Sequence, residues 1–185
     1  MDILLGFAPY IAFFIVMRAI SVDAGLWAAA GVAILNGGWH WRRNHSLKVL
    51  EIGSIVLFVG LAAATAVAHW NWTVMSIRLT VDSGLLGIVL VSLAIGQPFT
   101  LQYAREMVPK ERRNEPALLE VNRVITWVWA LAFAAMVAAH ATAISGTGGL
   151  VLFDVIVTIA AMTGAFSFTR WYADRARKTA ISHSG

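Results

Sequence analysis

Six long apolar segments, separated by short polar stretches, restrict what this sequence can fold into. Each segment has 18 to 21 residues, close to the roughly 20 that an α-helix needs to cross the ~30 Å hydrocarbon core of a bilayer. Charged residues make up only 13% of the chain, about half the share in soluble domains. The pattern predicts an all-α integral membrane protein, a single bundle over residues 1–185. Its six transmembrane helices are expected at 3–20, 24–41, 49–68, 77–96, 124–144 and 150–169.

The cationic residues indicate the orientation of such a bundle. Twelve of the 14 Lys and Arg lie in the loop after the second segment, in the loop at 97–123 and in the tail at 170–185. The loops at 21–23, 69–76 and 145–149 hold none. Because Lys and Arg are enriched in cytoplasmic loops, we expect both termini to be cytoplasmic.

Several chemistries are excluded or disfavoured by composition and motifs. The chain has no cysteine, which excludes disulfides, thiolate metal sites and cysteine nucleophiles. The formal charge of +4 comes from cations at helix ends, so it points to membrane lipids rather than to nucleic acid. No phosphate-binding glycine loop, HExxH or GxSxG motif occurs. We therefore expect no metal, no cofactor and no catalytic residues.

Five ionisable residues lie inside the predicted spans in the outer half of the membrane. A charge at the bilayer centre costs at least about 2.5–3.5 kcal/mol, so such groups usually face the bundle interior and pair. Arg78 and Asp82 share a helix face at a spacing of four, and Arg18 is a partner for either Asp82 or Asp154. His140, with no second histidine at helical spacing, is expected to form interior hydrogen bonds rather than bind metal. The candidate cluster is Arg18, Arg78, Asp82, His140 and Asp154.

Three interpretations of this cluster stay open. It is a structural ion-pair network that fixes helix register, or an outward-facing polar pocket for a ligand, ion or lipid headgroup. The third interpretation is that the charged side chains snorkel to the interface.

The loop at 97–123 is the longest polar stretch. Its segment 98–107 has aromatic and apolar residues four apart, which favours a short helix lying on the inner membrane surface. The charged part that follows is either a solvated connector or a docking surface, for which the candidate partner-binding residues are Arg105, Arg112 and Arg113.

Tryptophans and small residues give two weaker patterns. Tryptophans near the ends of the segments are typical of interfacial anchors, and we extend that interpretation to Trp127 and Trp129. Small residues four apart predict helix–helix contacts. They are Gly60, Ala64 and Ala68, Ser83 and Gly87, and Ala160 and Gly164.

Ordered motifs over about residues 3–145 resemble the intracellular septation protein A family of small bacterial inner-membrane proteins. The motifs are FAPYIAFF at 7–14, WHWRRNHSLKVLE at 39–51, NW at 71–72, QPFTLQ at 97–102 and then Asn122. Arg78 and Asp82 match no motif of that family.

The resemblance implies a multi-pass protein of the bacterial inner membrane with a non-enzymatic role in cell-envelope maintenance and division. Its partners would be inner-membrane proteins or a second copy of the chain. The alternative is a small transporter, channel or lipid-binding protein whose site is the polar pocket.

Overall fold

The protein folds into α-helices over the part that the structure describes. In this computed structural model, residues 5–44, 47–68, 72–144 and 148–182 are described, and no strand occurs among them. A 3₁₀ turn covers Lys110–Arg112. The helices are α1 Ala8–Ala19, α2 Val22–Asn44, α3 Val49–Ala68, α4 Val74–Ala94, α5 Phe99–Ala104, α6 Pro116–Ile144 and α7 Gly148–Ser182.

Four of the described helices are long and apolar enough, by length and composition, to cross a membrane. They are Val49–Ala68, Val74–Ala94, Pro116–Ile144 and Leu152–Lys178 within α7. The all-α prediction is confirmed for the described residues, and the four helices support a membrane protein. Helix α1 is apolar but has only 12 residues, about 18 Å of helix, and α2 is not among the four. The count of six spans therefore stays a prediction.

Several predicted boundaries differ from the structure. Helix α6 begins at Pro116 instead of 124, and α7 continues to Ser182, so much of the predicted tail at 170–185 is helical. The region at 97–123 holds α5, the 3₁₀ turn and the start of α6. Helical turns that carry charged residues give little hydropathy signal. The prediction from apolar runs therefore placed the start of α6 too late and the end of α7 too early.

The chain divides into two compact units, Met1–Ile88 and Val89–Gly185, which are described separately. The expectation of a single bundle over 1–185 stays a prediction.

In the first unit, close helix contacts depend on glycines. Only Ile20 and Ser21 separate α1 from α2, and a Cβ at Gly25 would lie 3.0 Å from the Phe13 carbonyl oxygen. A Cβ at Gly53 of α3 would lie 2.6 Å from Ile88 of α4. Gly25 therefore lets the backbones of α1 and α2 approach closely, whereas Gly53 leaves room for the side chain of Ile88.

The small-residue stripes predicted as helix contacts do not lie at the contacts just described. Gly60, Gly87 and Gly164 are exposed, and a Cβ on any of them would meet no atom within 4 Å. These stripes therefore make no close contact within either described unit, and contact of the stripes with a second copy of the chain stays a prediction.

Near the start of the second unit, α4 ends in a tight reversal. Gly96 has a φ of 70°, a conformation that only glycine adopts without strain. The amide N–H of Gln97 donates to the Ser92 carbonyl at 2.9 Å, and that of Gly96 donates to the Leu93 carbonyl at 3.0 Å. These two bonds form a Schellman cap, which ends the helix and directs the chain into α5.

Helix α5 packs its apolar side chains into the second unit, and its place on the inner membrane surface stays a prediction. Phe99 is fully buried, and its ring lies 6.3 Å from that of Trp129 on α6. Trp129 is also fully buried, contacts Phe166 of α7, and donates its indole N–H to the Thr169 hydroxyl at 3.1 Å. Trp129 is thus a core residue and not an interfacial anchor, whereas Trp127 is about half exposed.

Candidate functional site

The second unit holds a fully buried pair of ionisable side chains. His140 lies near the end of α6 and Asp154 near the start of α7, and both are 0% exposed. His140 Nδ1 lies 3.3 Å from Asp154 Oδ1. The two residues were predicted as members of a cluster, but their pairing was not. Because α6 and α7 are antiparallel neighbours joined by a short connection, residues 14 apart in sequence meet across the helix seam.

The surroundings of His140 determine which ring nitrogen carries its proton. Nδ1 lies 2.7 Å from the Met136 carbonyl oxygen, an atom that can only accept a hydrogen bond. Nδ1 therefore donates to the Met136 carbonyl, and Asp154 Oδ1 lies beside the ring at 3.3 Å from the same nitrogen.

The first unit holds its own buried acid, Asp82, in the middle of α4. Its side chain is 2% exposed and interacts electrostatically with Tyr10 of α1. The Tyr10 hydroxyl is hydrogen bonded to Ser54 of α3 at 3.2 Å. Three helices thus contribute polar groups to this part of the unit, and Tyr10 and Ser54 were not among the predicted site residues.

Arg78 lies one turn before Asp82 on the same helix. Its guanidinium carbon is 5.9 Å from the centre of the Phe14 ring on α1, which is within the range of a cation–π contact. Arg18 is exposed and makes no hydrogen bond or ion pair through its side chain with the described residues. The predicted pairing of Arg18 with Asp82 is therefore not formed in the first unit, and the alternative pairing with Asp154 stays a prediction.

A second buried ionic group in the first unit was missed by the sequence analysis. His40 at the end of α2 donates from Nδ1 to Glu51 Oε1, and Lys48 Nζ lies 4.0 Å from the same oxygen. All three residues are buried. The basic loop between α2 and α3 was used only to predict the orientation of the bundle, because its cations are typical of a cytoplasmic loop.

Glu51 also caps α3. Its Oε2 accepts the backbone N–H of Lys48 at 3.2 Å, and Lys48 directly precedes the first helical residue. This is the glutamate half of a capping box, in which the third helical residue reaches back to the N-cap amide. The available signal was a glutamate in the first turn of an apolar helix, where a negative charge is also favoured by the helix dipole.

The three partner-binding candidates all make contacts within their own region. Arg112 donates from Nε to Glu115 Oε1 at 2.8 Å and from Nη2 to Oε2 at 3.1 Å. Arg105 donates to the Arg113 carbonyl at 3.2 Å, and Arg113 donates to the Val108 carbonyl at 3.4 Å. These side chains order the connection between α5 and α6, and docking of a partner there stays a prediction.

In the described part of the chain, no three His, Asp or Glu side chains are grouped to hold a metal ion. No family model, curated protein or solved structure matches this chain.

Proposed function

We propose that the chain is a multi-pass protein of the bacterial inner membrane, with six transmembrane helices and both termini in the cytoplasm. Four long apolar helices support the membrane location. The segregation of twelve cations to alternate loops supports the orientation. In this arrangement α1 and α2 form the first helical hairpin, which adds two spans to the four.

In this proposal the protein has a non-enzymatic role in cell-envelope maintenance and division. It acts through inner-membrane partners or a second copy of the chain. The observation that carries the proposal is that residues of the motifs behind the septation protein A resemblance form contacts inside the fold. Thr100 of QPFTLQ donates to the Asn122 carbonyl at 3.0 Å, and His40 and Glu51 belong to one motif. Residues used for such internal contacts fit a scaffold better than a catalytic site.

The absence of cysteine allows a direct test of the topology. We expect Ser76→Cys to react with a membrane-impermeant maleimide in intact spheroplasts, and Lys110→Cys to react only after the membrane is permeabilised. The reverse labelling would contradict the orientation. The role itself is tested by depleting the protein in its host, where we expect filamentous or misshapen cells. Normal division and envelope integrity after complete depletion would contradict the proposed role.

The second candidate is a small transporter, channel or lipid-binding protein. The observation that favours it is the fully buried pair of His140 and Asp154, because intramembrane ionisable groups often mark ion or proton pathways. Complementation with Asp154→Asn separates the two candidates. The variant should restore division if the protein is a scaffold, and should fail while inserted at the normal level if it is a transporter.

A further inference from the structure

The last turns of α7 present a cationic face that neither the motifs nor the candidate cluster includes. With 3.6 residues per turn, six exposed residues lie within an arc of about 160°. They are, in order around the helix, Arg177, Arg170, Asp174, Lys178, Trp171 and Arg175. The remaining residues of this stretch, Tyr172, Ala173 and Ala176, are half-buried and lie on the opposite side. We call the six exposed residues the α7 cationic face.

The aromatic residues of this stretch are ordered. The guanidinium carbon of Arg175 lies 5.5 Å from the centre of the Trp171 ring, and the Tyr172 ring stacks on Phe168 at 5.3 Å. Trp171 nevertheless remains 54% exposed. An exposed tryptophan among cations combines an apolar ring and a polar N–H with positive charge, the combination that suits the boundary between acyl chains and headgroups.

We propose that the α7 cationic face binds the phosphates of anionic phospholipids in the bilayer that holds the chain. This inference rests on the proposed membrane function and names the partner of one surface. The face holds four cations and one carboxylate, so it is complementary to a negatively charged surface.

The position of the face favours a lipid over a soluble acidic protein. It begins at Arg170, directly after the apolar part of α7, and it continues the same helix without a break. From Arg170 to Lys178 the helix rises only about 12 Å, and the headgroup region is about 5–8 Å deep on each side. Arg and Lys side chains are long enough to reach back to it. The face is therefore held at the headgroups wherever α7 spans the membrane.

The test uses the full chain in phosphatidylcholine nanodiscs. Spin-labelled phosphatidylglycerol or spin-labelled phosphatidylcholine reports the motionally restricted lipid, and the ratio of the two association constants gives the anionic preference. Each cation near the surface contributes roughly fivefold to anionic-lipid attraction. We therefore expect R170Q/R175Q/R177Q/K178Q to lower the preference by at least about fivefold, and Asp174→Asn to raise it. Added salt should weaken the preference of the unchanged chain, because it screens the charges.

A matched control carries four glutamines at exposed cations elsewhere, R42Q/K110Q/R112Q/R123Q, and should lose much less of the preference. Equal preference in the unchanged chain and the α7 variant overturns the inference, as does an equal loss in the control variant. Either result would favour an acidic protein, instead of anionic lipid, as the binding partner of the α7 cationic face. A chain that does not enter the nanodiscs contradicts the proposed membrane function, whereas a chain that enters without any anionic preference contradicts only this inference.

Discussion

His140 and Asp154 face each other across the seam of α6 and α7, with Nδ1 3.3 Å from Oδ1 and both side chains closed to solvent. Removing one member of a buried pair leaves the other without its partner, which typically costs about 3–5 kcal/mol. Replacing both members by apolar residues of similar volume often costs much less. The pair is therefore expected to behave as one energetic unit.

We predict strong coupling in a double-mutant cycle on this pair. His140→Leu or Asp154→Leu alone should lower the free energy of unfolding by about 3 kcal/mol. The double variant should recover at least about 1 kcal/mol relative to the sum of the single changes. The measurement is reversible unfolding of the full chain in mixed micelles, followed by tryptophan fluorescence.

The control cycle uses Leu131 on α6 and Leu152 on α7, which are both exposed, each replaced by alanine. It should show no coupling. A cycle on His140 and Asp154 that is additive within about 0.5 kcal/mol would mean that the contact contributes nothing of its own.

The fold was predictable from the sequence where apolar length decides the structure. Helix α3, Val49–Ala68, has the boundaries predicted from its apolar run, and α6 ends at Ile144 as expected. The start of α6 at Pro116 was not predictable in this way, because Glu120, Asn122 and Arg123 interrupt the apolar residues of its first turns. These turns are held by contacts with α5 and with the preceding loop.

The sequence predicted which residues belong to the candidate site better than it predicted which of them contact each other. The cost of burying a charge in an apolar helix indicated that Asp82 and Asp154 face the interior, and both are buried. Which group each acid meets depends on the rotation of its helix, and one sequence does not specify that rotation. The contact between His40 and Glu51 was not predicted, because the basic residues between them indicated only a cytoplasmic loop. The contact depends on how α2 and α3 pack as a helical hairpin.

The contact between Gly53 of α3 and the Ile88 side chain of α4 gives a second prediction. Gly53→Ala would place a methyl group 2.6 Å from Cγ1 of Ile88, with the other branches of that side chain at 2.7 and 2.8 Å. A β-branched side chain has little rotamer freedom in a helix. We expect the free energy of unfolding to fall by about 1–2 kcal/mol, because overpacking exceeds the gain in helix propensity. Thermal unfolding in micelles measures this change.

Gly60→Ala on the same helix is the matched control, because a Cβ there meets nothing within 4 Å. This substitution should leave stability unchanged or slightly higher. In an Ile88→Ala background the Gly53→Ala change should cost nothing. An equal cost at Gly53 and Gly60 would show that the contact with Ile88 is not what disfavours alanine.

The pair of Arg112 and Glu115 gives a prediction about pH. Hydrogen bonds donated by Arg112 hold the pKa of Glu115 below its ordinary value. A carboxyl group with a lowered folded-state pKa stabilises the fold above its unfolded pKa, and that contribution is lost as the pH falls through the folded-state value. Arg112→Gln should therefore raise the pKa of Glu115, as measured by NMR titration of its side-chain carboxyl carbon.

Lys110→Gln removes a neighbouring cation that makes no hydrogen bond to Glu115 and should leave the pKa of Glu115 nearly unchanged. Since both Arg112 and Glu115 are largely open to solvent, the stability of the whole chain should hardly respond. An unchanged Glu115 pKa in Arg112→Gln would mean that the bidentate contact does not persist in solution.

The contact between His40 and Glu51 gives the last prediction. Glu51→Ala removes the acceptor for His40, the partner of Lys48 and half of the α3 capping box at once. Loss of a buried charge partner and of a helix cap should together lower the free energy of unfolding by about 3 kcal/mol or more. Denaturant titration in micelles, followed by circular dichroism, measures the loss.

Two further variants separate the cap from the buried pair. Glu51→Gln keeps an oxygen that can accept the Lys48 amide, so it should lose less stability than Glu51→Ala. His40→Ala removes only the link to α2 and should leave the α3 cap in place. Glu120→Ala, at an exposed glutamate on α6, should change stability by less than about 0.5 kcal/mol. If Glu51→Ala were as mild as Glu120→Ala, Glu51 would not join α2 to α3, because a buried carboxylate that accepts from two residues cannot be removed without cost.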